Sequence, residues 1–94
     1  MATVLSPDRV DEVLAQRALT WEHEGGELKK VVKRKDFAEA MRFVNAVAEL
    51  AEARDHHPDI DIRWNTVTLH LSTHSAGGIT DLDLELAARI EELG

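Results

Sequence analysis

Three histidines hold the chemistry of this chain: the adjacent pair His56-His57, fixed by Pro58, and His74, which closes a Ser-Thr-His run. Glu52 stands one helical turn before the pair, Trp64 follows it, and Asp83 lies beyond His74. Histidine is the side chain whose ordinary pKa lies nearest neutrality, so it can donate or accept a proton under physiological conditions. With a carboxylate in reach, such a cluster suggests a proton-transfer site. The two remaining histidines have simpler explanations. His70 is expected opposite Asp61 on the polar face of a hairpin, and His23 has only Glu22 and Glu24 nearby in sequence.

The elements that must position these residues follow from periodicity and punctuation. Ser6-Pro7 reads as an N-cap with proline at the first helical position, and Val10, Val13, Leu14 and Ala18 form one apolar stripe behind it. Leu19 to His23 and Leu28 to Lys33 read as strands joined around Gly25-Gly26. Asp36 and Glu39 have the form of a capping box. Phe37, Ala40, Met41, Val44, Val47, Ala48 and Ala51 then give the clearest helical stripe in the chain. Pro58 lacks an amide donor and disfavours the helical region for His57, so this helix must end near Asp55 or His56. The histidine pair is left at its exit.

Beyond Pro58, Ile60, Ile62 and Trp64 alternate with polar residues, as do Val67, Leu69 and Leu71. A two-residue turn at Asn65-Thr66 pairs Trp64 with Val67, Ile62 with Leu69 and Ile60 with Leu71, and makes Trp64 a core residue. Carried outward, that register sets Pro58 against Thr73 and His57 against His74, with Cβ atoms about 5 Å apart. Gly77-Gly78 breaks the chain. Thr80 and Asp83 form a further capping box, and Leu82, Leu86, Ile90 and Leu93 line the last helix. The expected fold is α+β: an antiparallel sheet of about four strands, three helices on one face, order α-β-β-α-β-β-α.

The order Glu52, His56-His57-Pro58, Trp64, His74, Asp83 resembles the signature of the pterin-4a-carbinolamine dehydratases, and the likeness covers nearly the whole chain. It implies dehydration of 4a-hydroxytetrahydrobiopterin to the quinonoid dihydropterin, the recycling step after an aromatic amino-acid hydroxylase has oxidised its cofactor. It also implies that His56, His57 and His74 are the active-site histidines. His56 and His74 are assigned acid-base roles and His57 the grip on the pterin. Substrate contacts would extend to Pro58, Thr73, Ser75 and Ala76. Trp64 stands where tyrosine is frequent in the family, and Gly77-Gly78 also departs from its commonest form. Neither change touches the histidines.

Three readings stay open at the site. Glu52 is either a partner of His56, four residues on along a helix, or an ordinary solvated residue; the former is favoured. Asp83 matches the acidic end of the signature, but its capping box accounts for it without chemistry, so it is read as structural. His56 could merely cap carbonyls at a helix end, a reading its neighbours disfavour.

Composition narrows the function further. Ninety-four residues fit one domain, 1–94, with a thin core that association with another copy would enlarge. The resemblance likewise implies a homodimer or homotetramer. A net charge of -7 argues against a direct grip on nucleic acid. The basic run from Lys29 to Lys35 is read as a solvated strand edge. Without cysteine there is neither a disulfide framework nor a thiolate metal site. No secretory signal or membrane span is apparent, which makes the cytoplasm the default.

Carbinolamine dehydration needs one group to protonate the hydroxyl and another to take the proton from the adjacent nitrogen; no metal or redox cofactor is required. Two rival classes remain. Three imidazoles and a carboxylate could ligate zinc, although adjacent histidines on an extended chain point apart. Alternatively, the fold could serve as a non-enzymatic docking module, since some relatives act as dimerisation cofactors for a transcription factor.

Overall fold

Ser6 accepts a hydrogen bond from the Arg9 N–H and Pro7 opens the first helix, α1 (Pro7–Gln16), which buries Val10 and Leu14. These are the first features of a computed structural model that describes residues 3–94. The helix stops earlier than its apolar stripe: Ala18 is exposed, in the left-handed region at φ 53°. Next come β1 (Glu22–Glu24), β2 (Glu27–Lys33), α2 (Phe37–Arg54), β3 (Asp59–Arg63), β4 (Thr66–Leu71) and α3 (Asp81–Glu91). The expected fold class and element order are therefore observed. The sheet is antiparallel throughout, in the order β1-β2-β4-β3.

The basic run starts on β2, which pairs with β4 from Leu28 to Lys33 but with the short β1 only from Glu27 to Lys29. The Lys30–Lys33 stretch is therefore an open strand edge, as expected, and Arg34 and Lys35 follow in the loop. Its neighbours supply counter-charge: Lys29 faces Glu24, and the Lys30 ammonium lies 2.6 Å from the Thr20 hydroxyl and 3.7 Å from Glu91.

The β3–β4 hairpin differs from its expected register by two residues. Ile62 pairs with Val67, Ile60 with Leu69, and Asp59 with His70. The cause is Asn65. Its side-chain amide donates to the Arg34 carbonyl, and its own carbonyl accepts from the Arg34 N–H, both at 2.9 Å. Buried and tied to the loop after β2, Asn65 becomes the second turn residue. Trp64 becomes the first, at φ 52° and 66 % exposed rather than in the core. Because strand side chains alternate with period two, a two-residue shift leaves every residue on its intended face. Ile60 and Ile62 still share a face with Leu69 and Val67, but on an edge strand they remain partly exposed. His70 accordingly meets Glu27 across the sheet, 2.8 Å away, rather than Asp61.

The core joins Leu28, Val32, Val67, Leu69 and Leu71 of the sheet to the three helices. In α2 the buried set is Ala40, Phe43, Val44, Val47 and Ala51; Phe37 and Ala48, expected inside, are exposed. In α3 it is Asp83, Leu84, Leu86, Ala87 and Ile90, whereas Leu82 and Leu93 are exposed. The buried face of α3 is rotated toward Leu84 and Ala87, and it carries a carboxylate into the interior.

Candidate active site

Two chain breaks build the site. At the first, α2 ends at Arg54 and Asp55 adopts the left-handed conformation (φ 48°), which aspartate tolerates better than most residues. The His56 N–H then closes on the Ala51 carbonyl, a Schellman-type ending. His56 thereby turns away from the helix surface. At the second break, β4 ends at Leu71, and Thr73 forms a bridge with Gly78 that closes residues 73–78 into a tight loop. Gly77 supplies the positive φ (82°) that this loop requires. His74 projects from it, exposed.

The two segments border one open cleft of about 290 Å³, lined by Asp55, His56, His57, Ser72, Thr73, His74 and Ser75. All three histidines of the sequence cluster are on it, together with Thr73 and Ser75. Pro58, Ala76 and Glu52 are not among its lining residues. The route that brings His74 to the pair is not the one expected. His57 and His74 are not cross-strand partners, since β3 begins at Asp59 and β4 stops at Leu71; the loop delivers His74. A larger groove lies elsewhere, among Arg17, Glu85, Arg89 and Glu91, but Arg17 and Glu85 are already ion-paired there.

The carboxylate partners are exchanged relative to expectation. Glu52 pairs with His57, on a surface where both side chains are more than half exposed. His56 is instead held by Asp83: its Nε2 lies 2.6 Å from Oδ1 of a carboxylate with no solvent exposure. Asp83 is thus more than a structural cap. Its Oδ2 accepts from the Thr80 N–H at 2.9 Å, completing the capping box of α3, and from the Thr73 hydroxyl at 2.8 Å. A buried carboxylate needs such a complete set of donors, because an unpaired one is strongly disfavoured. A capping box accounts for one carboxylate oxygen only. The signal that could have exposed the second role is the helical spacing of Asp83 with Leu86, Ala87 and Ile90, which puts the carboxylate on the buried face of α3.

This arrangement occupies one ring nitrogen of His56, Nε2, and leaves Nδ1 as the other. His57 and His74 offer further imidazoles at the cleft rim.

Comparison with known proteins identifies the family. The family model described as "Pterin 4 alpha carbinolamine dehydratase" matches residues 3–93. A protein of Mycobacterium sp. (strain KMS), named "Putative pterin-4-alpha-carbinolamine dehydratase", is 51 % identical over 90 residues, which is 96 % of this chain and 95 % of that one. A protein of Roseiflexus castenholzii with the same name is 50 % identical over 94 residues, 99 % of each. Among solved structures, the transcriptional coactivator/pterin dehydratase from Brucella melitensis superposes with a TM-score of 0.89 at 33 % identity, covering 97 % of this chain and 98 % of that one. A pterin dehydratase-like protein identified as a RuBisCO assembly factor in the alpha-carboxysome gives 0.67 at 25 % identity, covering 82 % and 92 %. Fold and site define a small α+β protein with a carboxylate-tethered histidine cluster. The chain belongs to the pterin-4-alpha-carbinolamine dehydratase family, a family of hydro-lyases.

Proposed function

We propose that residues 1–94 form one dehydratase domain that removes water from 4a-hydroxytetrahydrobiopterin by histidine general acid–base catalysis, regenerating the quinonoid dihydropterin in the cytoplasm. The observation that carries this reading is the Asp83-tethered His56 on a cleft it shares with His57 and His74. One imidazolium protonates the 4a-hydroxyl as the C–O bond breaks. A neutral imidazole takes the proton from the adjacent ring nitrogen, whose electron pair forms the new C=N bond. His56 and His74 fill these two roles, and each well-placed acid or base contributes about 100- to 10,000-fold. His57 grips the pterin, beside Pro58 and the backbone of Thr73, His74, Ser75 and Ala76. No step calls for a metal or redox cofactor.

The test is to follow carbinolamine decay by stopped-flow absorbance with chelator-treated protein. The expected result is acceleration over the spontaneous reaction with undiminished rate after chelation. Loss of activity on chelation, with restoration by zinc, would favour the metal reading.

Self-association accompanies this reading. The β3 edge has free backbone groups on one side, and Ile60, Ile62 and Trp64 are exposed beside it. A homodimer or a dimer of dimers would cover them. The Brucella coactivator/dehydratase and the carboxysome assembly factor support a second role for the fold, protein docking. A His74→Ala variant separates the two: a docking module would lose binding, and a dehydratase turnover.

A further inference from the structure

We propose that the buried hydroxyls of Thr80 and Thr73 form a positioning device that fixes the Asp83 carboxylate, so that His56 holds its proton on Nε2 and presents Nδ1 to the substrate. The proposal rests on the dehydratase reading for its catalytic meaning, but its structural content stands separately. Each threonine hydroxyl has one proton to give. Thr73 gives its proton to Asp83 Oδ2 at 2.8 Å, so the 2.8 Å contact between the two hydroxyls has Thr80 as donor. Thr80 in turn accepts from the Leu82 N–H in the first turn of α3. The bonds run one way: Leu82 N–H to Thr80, Thr80 to Thr73, Thr73 to Asp83. A second donor, the Thr80 N–H, meets the same Oδ2. That oxygen is saturated, and Oδ1 is left to receive His56 Nε2 at 2.6 Å.

Packing does not require these hydroxyls. Thr73 is 4 % exposed and Thr80 fully buried, where valine has nearly the same shape. Thr73 also immediately precedes His74, and its backbone N–H bonds to the Gly78 carbonyl. One residue therefore couples the tether of His56 to the loop that carries His74. Thr73 and Thr80 are positioning residues, not groups that meet the reacting atoms through their side chains.

The experiment is long-range proton–nitrogen NMR of the His56 ring in histidine-labelled native protein, Thr73→Val and Thr73→Ser, with kcat and KM measured in parallel. The native ring is expected to show a protonated Nε2 and an unprotonated Nδ1 when neutral. Thr73→Val should blur that preference and lower kcat about tenfold or more, the scale of losing an orienting partner, with KM nearly unchanged. Thr73→Ser, which restores the hydroxyl, should recover both. Should the valine variant not fold, Thr73→Ala replaces it. A native ring protonated on Nδ1 would overturn the proposal, as would a folded Thr73→Val or Thr73→Ala protein with unaltered ring signals and kcat. If the native protein fails to dehydrate the carbinolamine at all, the dehydratase reading falls, while the ring signals still decide the tether.

Discussion

Asp83 joins two tasks that are usually assigned to different side chains, capping the start of a helix and orienting an imidazole. Replacing it with asparagine keeps the shape but places an amide against His56 and the Thr73 hydroxyl. Loss of the orienting carboxylate can cost a histidine-dependent enzyme as much as about 10,000-fold. Asp83→Asn is therefore expected to lose at least about 100-fold in kcat, with far-UV circular dichroism confirming the fold. Glu52 makes the opposite prediction. Its pair with His57 is solvent-exposed, and such pairs contribute about 0–1 kcal/mol. Glu52→Gln should keep turnover within about threefold, and a loss comparable to that of Asp83→Asn would contradict the exchange of partners. The histidines were legible from residue type and order. Their partners were not, because helical spacing from Glu52 to His56 presumes a helix that continues, and left-handed Asp55 ends it.

At the scale of elements, the β3–β4 turn and the end of α3 each make a testable statement. Trp64 sits in the left-handed region with its ring largely in water. Glycine adopts that backbone freely. Trp64→Gly should therefore leave the melting temperature unchanged or raise it. A loss of about 3–5 kcal/mol, the usual cost of truncating a core aromatic, would place the tryptophan inside after all. Apolar alternation marked the correct faces here but not the register, because the decisive contact, Asn65 with Arg34, joins two loops distant in sequence.

Glu91, at the end of α3, accepts from both the N–H and hydroxyl of Thr20 and lies near Lys30. Burial alone would raise its pKa; the Thr20 hydrogen bonds and the Lys30 charge outweigh it and hold the carboxyl below its ordinary value. A lowered folded-state pKa means stabilisation that is present above the unfolded value and is lost as pH falls through the folded one. Glu91→Gln should thus melt a few degrees below the native protein at neutral pH, on the order of 1 kcal/mol for a charge-assisted bond. In thermal scans the gap should close below about pH 4. A gap that persists unchanged in acid would show that the charge is not involved.

For the whole molecule, the fold class, the order of elements and most of the core were legible, because each follows from local periodicity and punctuation. The rotated face of α3 was not, since it depends on which element packs against which. Among the described residues, β3 is one of the two edge strands, and it carries exposed Ile60 and Ile62. If copies associate there, light scattering should report a dimer or larger, and Ile62→Lys should shift it toward monomer. A native monomer would contradict the association. The role of the cleft is decided by stopped-flow dehydration of the carbinolamine by the native protein, His56→Ala and His74→Ala. Clear acceleration by the native protein is expected, with losses of about 100-fold or more in each variant. Acceleration that survives both substitutions would contradict it.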